Sequence, residues 1–179
     1  SNICFAPTEL AVNNLINEGI SKNNIFLCGD VMADCVRVFG SNNSKNSVFF
    51  DNDLKPKEYV LVTIHRAENT NDINILSSIL SALNKIDLKV IMPLHPRTKK
   101  IINENGLNHL MSNIKLIDPQ GYIDISVMQK NASIIITDSG GMQKEAYLHK
   151  VPCITLRETT EWRELVDSGW NKLANPNDE

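Results

Sequence analysis

A serine and two glycines followed by a glutamate four residues later form the arrangement in this sequence best suited to binding chemistry: Ser139-Gly140-Gly141, then Glu145. Paired glycines at a strand-to-helix junction let the backbone pass close to a ligand and tolerate φ > 0. The helix that follows aims its free N–H groups and its dipole at that ligand, which favours phosphate. The Ser139 hydroxyl adds a donor. Glu145 stands one turn further along the same helix face. A carboxylate there does not suit phosphate but does suit a pair of hydroxyls, as on a ribose. Turn plus acid therefore points to a nucleotide diphosphate rather than inorganic phosphate. A tight turn with no ligand is the alternative. The pattern is neither GxGxxG nor a Walker loop, so a dinucleotide or kinase-type site is not indicated.

Other polar sets could join it. His65-Arg66-Ala67-Glu68-Asn69 carries a histidine able to act as acid or base, or to donate to a phosphate. Glu68 or Asn69 could orient that imidazole, or Asn69 could simply cap a helix. In His95-Pro96-Arg97, the guanidinium of Arg97 suits a carboxylate or phosphate fork, or a solvated helix start. Arg157 lies among Glu158, Glu161, Arg163 and Glu164, which could be a surface ion-pair cluster of little energetic weight. Trp162 and Trp170 read as packing residues.

The elements that must position these groups follow from hydrophobic periodicity. Continuous apolar runs predict strands over residues 59–64, 88–94, 114–117, 132–137 and 152–156, with a last one over 171–174. Between them, helices are expected over 72–86, 98–105, 123–130, 142–149 and 160–167. Strands buried on both faces and alternating with helices mean a doubly wound, Rossmann-like parallel α/β sheet. In such folds ligands bind at the carboxyl ends of the strands. The polar sets above, together with Asp118-Pro119-Gln120-Gly121-Tyr122, all fall on that edge, whereas the opposite loops are ordinary turns. Upstream, a helix over 8–18 capped by Thr8, a buried strand over 25–28 and a short helix over 31–39 are expected. Residues 40–57, rich in Asn, Ser and Lys, read as a linker or exposed excursion.

Composition narrows the classes. The chain has 179 residues, the size of one domain at roughly 100–200 residues each. Its net charge of −3 argues against nucleic acid or an anionic membrane as the main partner. Apolar runs such as Ile134-Ile135-Ile136 fall far short of the ~20 residues that span a bilayer. Cys4, Cys28, Cys35 and Cys153 form no CxxC, so buried free thiols in a reducing cytoplasm are expected rather than a zinc site or a disulfide framework; no cofactor is expected either. Ser1-Asn2-Ile3-Cys4 has no signal-peptide pattern, and the chain reads as a fragment cut from a longer protein.

Taken in order, His65-Arg66-x-Glu68-Asn69, His95-Pro96, Asp138-Ser139-Gly140-Gly141-x-Gln143-x-Glu145-Ala146 and Leu156-Arg157-x-Thr159-Thr160-Glu161 resemble the non-hydrolysing UDP-N-acetylglucosamine 2-epimerases. Ala6-Pro7-Thr8 and Gly29-Asp30-Val31 resemble the segment joining that family's two domains. The resemblance implies one half of a glycosyltransferase-B-like two-domain fold. Residues 1–40 would be the hinge segment and interdomain connection, 41–57 a linker and 58–179 the C-terminal UDP-binding domain, with the N-terminal domain absent. It implies that Ser139, Gly140 and Gly141 hold the diphosphate, Glu145 the ribose, and the Gln120-Gly121-Tyr122 loop the uracil. His65 would be the catalytic histidine, with Arg66, His95, Arg97 and Arg157 at a regulatory site or the cleft. It implies a cytoplasmic, homodimeric enzyme serving cell-surface polysaccharide synthesis, which interconverts UDP-GlcNAc and UDP-ManNAc. Ala67 and Trp162-Arg163 depart from the family's commoner arginine and Arg-Pro, as in branches acting on diacetamido uronates. A UDP-diacetamido-uronate epimerase, a glycosyltransferase-B sugar transferase and a nonenzymatic nucleotide-sugar sensor stay open.

Overall fold

The computed structural model describes residues 2–40 and 47–176. The chain opens with β1 (Cys4–Ala6), α1 (Glu9–Asn17), β2 (Ile25–Leu27) and α2 (Val31–Phe39). Two local caps set the helices here: Thr8 Oγ1 accepts from Ala11 N, and Asp30 Oδ1 accepts from Met32 N. β1 and β2 pair with each other in parallel and, among the described residues, with no other strand. The expectation of a buried strand over 25–28 is therefore corrected. Phe26 and Leu27 are exposed, as is Phe5, because α1 is the helix packed on this ribbon and its other face is left uncovered by the described residues.

Residues 41–46 of the expected linker lie outside the described residues. The rest is largely exposed but not structureless. It holds α3 (Ser47–Asn52), and Leu54 is buried beside Phe49 and Tyr59. Lys89 and Lys115 both donate to the Asn52 carbonyl, tying this stretch to the sheet.

From there the alternation runs as expected, with small differences. β3 (Tyr59–Thr63) is followed by α4 (Ala67–Thr70), a single turn that the sequence reading lacked, and by α5 (Ile73–Asn84). Asp72 caps α5, and Leu76, Ile79, Leu80 and Leu83 form its buried stripe. β4 (Lys89–Pro93) leads to α6 (Pro96–Glu104), which starts two residues earlier than expected because His95 caps it. A 3-10 helix (Leu107–Met111), also unexpected, precedes β5 (Ile114–Ile117). Then come α7 (Tyr122–Asn131), β6 (Ile134–Thr137), α8 (Gly140–Leu148), β7 (Cys153–Thr155), α9 (Arg163–Asp167) and β8 (Asn171–Leu173).

The six strands β3 to β8 form one parallel sheet in the order β5-β4-β3-β6-β7-β8. Side chains alternate across it. Val60 and Val62 join Leu76, Leu80 and Met92 on one face, while Tyr59 and Leu61 join Met128, Ile135 and Ala146 on the other. After β3 the chain winds outward through β4 and β5, then returns to lay β6 on the opposite side of β3. That reversal opens a crevice at the carboxyl ends of β3 and β6, where doubly wound sheets bind ligands. No helix among the described residues is long and apolar enough to cross a membrane.

Candidate functional site

Thr63 and Thr137 end β3 and β6 side by side, their hydroxyls 2.7 Å apart. The next residues turn into the crevice. Asp138 is fully buried there. Its Oδ2 accepts from the backbone N–H of His65 at 3.0 Å, that of Arg66 at 2.9 Å and the Asn69 amide at 3.2 Å. Its Oδ1 lies 3.1 Å from His65 Nδ1. Burial alone would raise this carboxyl's pKa, but the bonds from His65 and Arg66 hold it below its ordinary value. The same contact with Asp138 raises the pKa of His65, against burial and the nearby Arg66 charge. A carboxylate at Nδ1 requires a proton there, which leaves Nε2 to meet a ligand.

The imidazole is thus oriented by neither Glu68 nor Asn69. Glu68 is exposed, 3.8 Å from Arg66 Nη1. Asn69 bonds to Asp138 and to the Leu156 carbonyl from within α4, and it is Asp72 that caps the helix after it. Asp138 comes from the adjacent strand instead, a neighbour that only the sheet order creates.

At the start of α8, Ser139 Oγ accepts from Met142 N, so its hydroxyl hydrogen remains to be donated. Neither Gly140 nor Gly141 takes the positive φ allowed for at the sequence level; the glycines that do are Gly19, Gly29, Gly106 and Gly169. Gly140 instead leaves room for a neighbouring side chain. A Cβ there would land on the Glu161 carboxylate. Glu161 in turn is ion-paired with Arg157 at 2.7 Å. Trp162 Nε1 donates to the Gly140 carbonyl at 2.8 Å. Buried Gln143 bonds to Thr160, Asn171 and the Ser139 carbonyl. The loop after β7 therefore braces the glycine turn from behind. Arg157 and Glu161 belong to that brace rather than to a loose surface cluster.

One turn along α8, Glu145 is half-buried. Burial pushes its carboxyl up, and bonds from Gln129 and Tyr122 oppose that. Gln129 Nε2 donates to Glu145 Oε2 at 2.7 Å. Tyr122 and Glu145, assigned separately to uracil and ribose, are thus neighbours. Gln120 folds back to the Asp118 carbonyl.

A cavity of about 240 Å³ brings His65, His95, Gln120 and Ser139 together, walled by Pro119, Ile125 and Met142. The His65 and His95 rings are 6.3 Å apart. His95 Nδ1 accepts from Arg97 N. Two expected residues lie elsewhere. Arg97 reaches out to Asn71 at 2.6 Å, and Arg157 lines a separate cavity of about 380 Å³ with Glu68 and Asn69.

The sequence model of one protein family, described as UDP-N-acetylglucosamine 2-epimerase, matches residues 1–179. The chain belongs to this epimerase family. It is 46% identical, over its whole length, to a UDP-N-acetylglucosamine 2-epimerase homolog of Methanococcus maripaludis, of which it covers 51%. The crystal structure of Methanocaldococcus jannaschii UDP-GlcNAc 2-epimerase in complex with UDP-GlcNAc and UDP superposes with a TM-score of 0.90 at 41% identity, covering 99% of this chain and 51% of that one. A third relative, the UDP-2,3-diacetamido-2,3-dideoxy-D-glucuronate 2-epimerase of Pseudomonas aeruginosa, is 40% identical over 97% of this chain and 49% of its own length. The chain spans about half the length of the relatives it matches. Its fold is one Rossmann-like half of a glycosyltransferase-B-like architecture.

Within this epimerase fold, sequence reasoning missed two polar residues with direct contacts to the site. Asp138 carried a readable signal, being the first residue past a strand on the binding edge. Gln129 carried none, because a glutamine in the last turn of a helix ordinarily reads as surface.

Proposed function

We propose that this chain is the UDP-binding half of an enzyme that inverts C2 of a UDP-N-acetylhexosamine, interconverting UDP-GlcNAc and UDP-ManNAc. The observation that carries this reading is the seating of His65, on buried Asp138, beside the Ser139 turn at the sheet's reversal point. In this reading Ser139, Gly140 and Gly141 hold the diphosphate, Glu145 the ribose, and residues 120–122 the uracil. Arg66 and His95 stay candidates for a regulatory or cleft role; Arg97, engaged with Asn71, fits it less well.

The C2 hydrogen of such a sugar is not acidic, so direct deprotonation is costly. Anti elimination avoids this. A base takes the C2 proton, the C1–O bond breaks with its electrons going to the leaving UDP, and C1=C2 forms in a 2-acetamidoglucal. UDP then adds back at C1 while a proton arrives at the other face of C2. This chain's task is to stabilise the departing diphosphate. The N–H groups opening α8, the Ser139 hydroxyl and His65 Nε2 suit that task. The acid–base carboxylates are expected in the half outside this chain.

A second reading has its own support. The 40% identity to the diacetamido-glucuronate epimerase admits a uronate sugar on the same UDP site. Incubating the full-length protein in heavy water with each UDP-sugar decides between them. Deuterium should enter at C2 of UDP-GlcNAc; entry only with the uronate favours the second reading, and entry with neither sinks both and leaves a sugar transferase or a sensor. The 179-residue chain alone should bind UDP weakly and not turn over. The same reading takes the full-length protein as a cytoplasmic homodimer, which light scattering and fractionation check.

A further inference from the structure

Gln129 lies on α7 with its side chain wholly buried against α8. Its Nε2 donates to Glu145 Oε2 at 2.7 Å, while its Oε1 is buried with no hydrogen-bond partner. The carboxylate opposite requires the amide nitrogen on that side. A methionine would fill similar volume without stranding a carbonyl, so packing alone does not account for an amide here. The amide's one made bond goes to the residue read above as the ribose ligand. That bond fixes Glu145 Oε2; Tyr122 also bonds to this carboxylate, whose oxygens keep further acceptor capacity for a ligand hydroxyl. The Gln129 bond also opposes the effect of burial, which would otherwise favour a protonated carboxyl.

We propose that Gln129 is a positioning residue for ribose recognition: by holding Oε2 of Glu145 it aims that carboxylate at the ribose hydroxyls. The proposal rests on the UDP-binding reading above. Gln129 touches no ligand itself and acts through Glu145.

Calorimetry on the full-length protein that carries this chain tests it with UDP and 2′-deoxy-UDP. Wild type should prefer UDP. Gln129→Met should weaken UDP binding about five- to tenfold, the loss of one positioned hydrogen bond, and leave 2′-deoxy-UDP nearly unchanged, so the preference collapses. Gln129→Asn, whose amide is too short to reach Glu145, should do the same and serves if the methionine variant fails to fold. In an E145A background, Gln129→Met should change nothing further. A merely structural role would lower both affinities together or neither. Preference for UDP that survives in a folded Gln129 variant overturns the proposal and leaves the nucleotide reading standing. A wild type without UDP affinity overturns that reading, and the proposal with it.

Discussion

A carboxylate cut off from water sits behind His65 and sets its charge. Because folding raises the His65 pKa, its contribution to stability is full below the ordinary histidine value and is lost as pH climbs through the folded-state value. Asp138 runs the other way: its pKa is lowered, so its contribution is present above the ordinary carboxylate value and is lost as pH falls through the folded one. UDP binding should therefore weaken as pH rises through the raised His65 value, above the ordinary histidine pKa. Asp138→Asn should move that weakening to lower pH and, by facing an amide toward buried donors, cost about 1–3 kcal/mol of stability. Ring-proton NMR of His65 and urea unfolding read the two effects; an unmoved His65 titration would discount the pairing. Gly140→Ala should displace the half-exposed Glu161 carboxylate from Arg157 and cost about 0–1 kcal/mol, the worth of such a pair. Glu161→Ala in that background should cost little more, and Gly141→Ala, with Met32 Cε 3.6 Å away as its nearest neighbour, should be milder. At this scale the sequence disclosed the groups on the ligand side but not those behind them. Ser139, Glu145 and His65 stand at strand ends or on a helix's first turns. Asp138 reaches His65 only through a strand pairing that no local pattern encodes.

α2 is held to α8 by a costly contact. Lys144, buried on α8, lies 2.7 Å from Asp30 at the start of α2 and 3.9 Å from the centre of the Trp162 ring. The contact is ionic rather than a well-aligned hydrogen bond. It clamps the N-terminus of α2, through the residue that also caps it, onto the helix that opens at the glycine turn. Removing one member of a buried pair strands the other. Lys144→Met should thus cost about 3–5 kcal/mol, and adding Asp30→Asn to it should cost much less than the sum, read by a double-mutant cycle in urea. Additive losses would mean that the two charges do not act as a pair. Helices with a clear apolar stripe, such as α5, were legible from spacing. α8 was legible by its turn signal, although Gln143 and Lys144 are buried in it. Those burials depend on the loop after β7, seventeen residues away at Thr160, and no helical pattern reports that.

Across the whole molecule, stability is divided between two unequal parts. The six-stranded sheet has an apolar cluster on each face. The β1–β2 ribbon has Phe5 at 71% exposure and Phe26 at 49%. Two short strands with an open face are marginal by themselves. Amide exchange in the 179-residue chain should be slowest in β3 and β6 and fastest in β1 and β2. Comparable protection in both would show that the ribbon is covered, for example by association between chains. The parallel sheet was legible because strands buried on both faces are unbroken apolar runs. The ribbon was misread because an apolar run declares what it is made of, not whether anything covers it.

The sheet order also bears on how the molecule comes to be assembled in time. Val60 of β3 meets Val90 of β4 early along the chain, but Thr63 meets Thr137 only across a separation of 74 residues. Closing the longer loop costs more entropy before any contact rewards it. The crevice between β3 and β6 should therefore form late on refolding. His65 reaches its carboxylate only when that pairing closes, so recovery of UDP binding should lag behind recovery of helical ellipticity after dilution from denaturant. Simultaneous recovery would mean that the distant pairing forms with the first collapse.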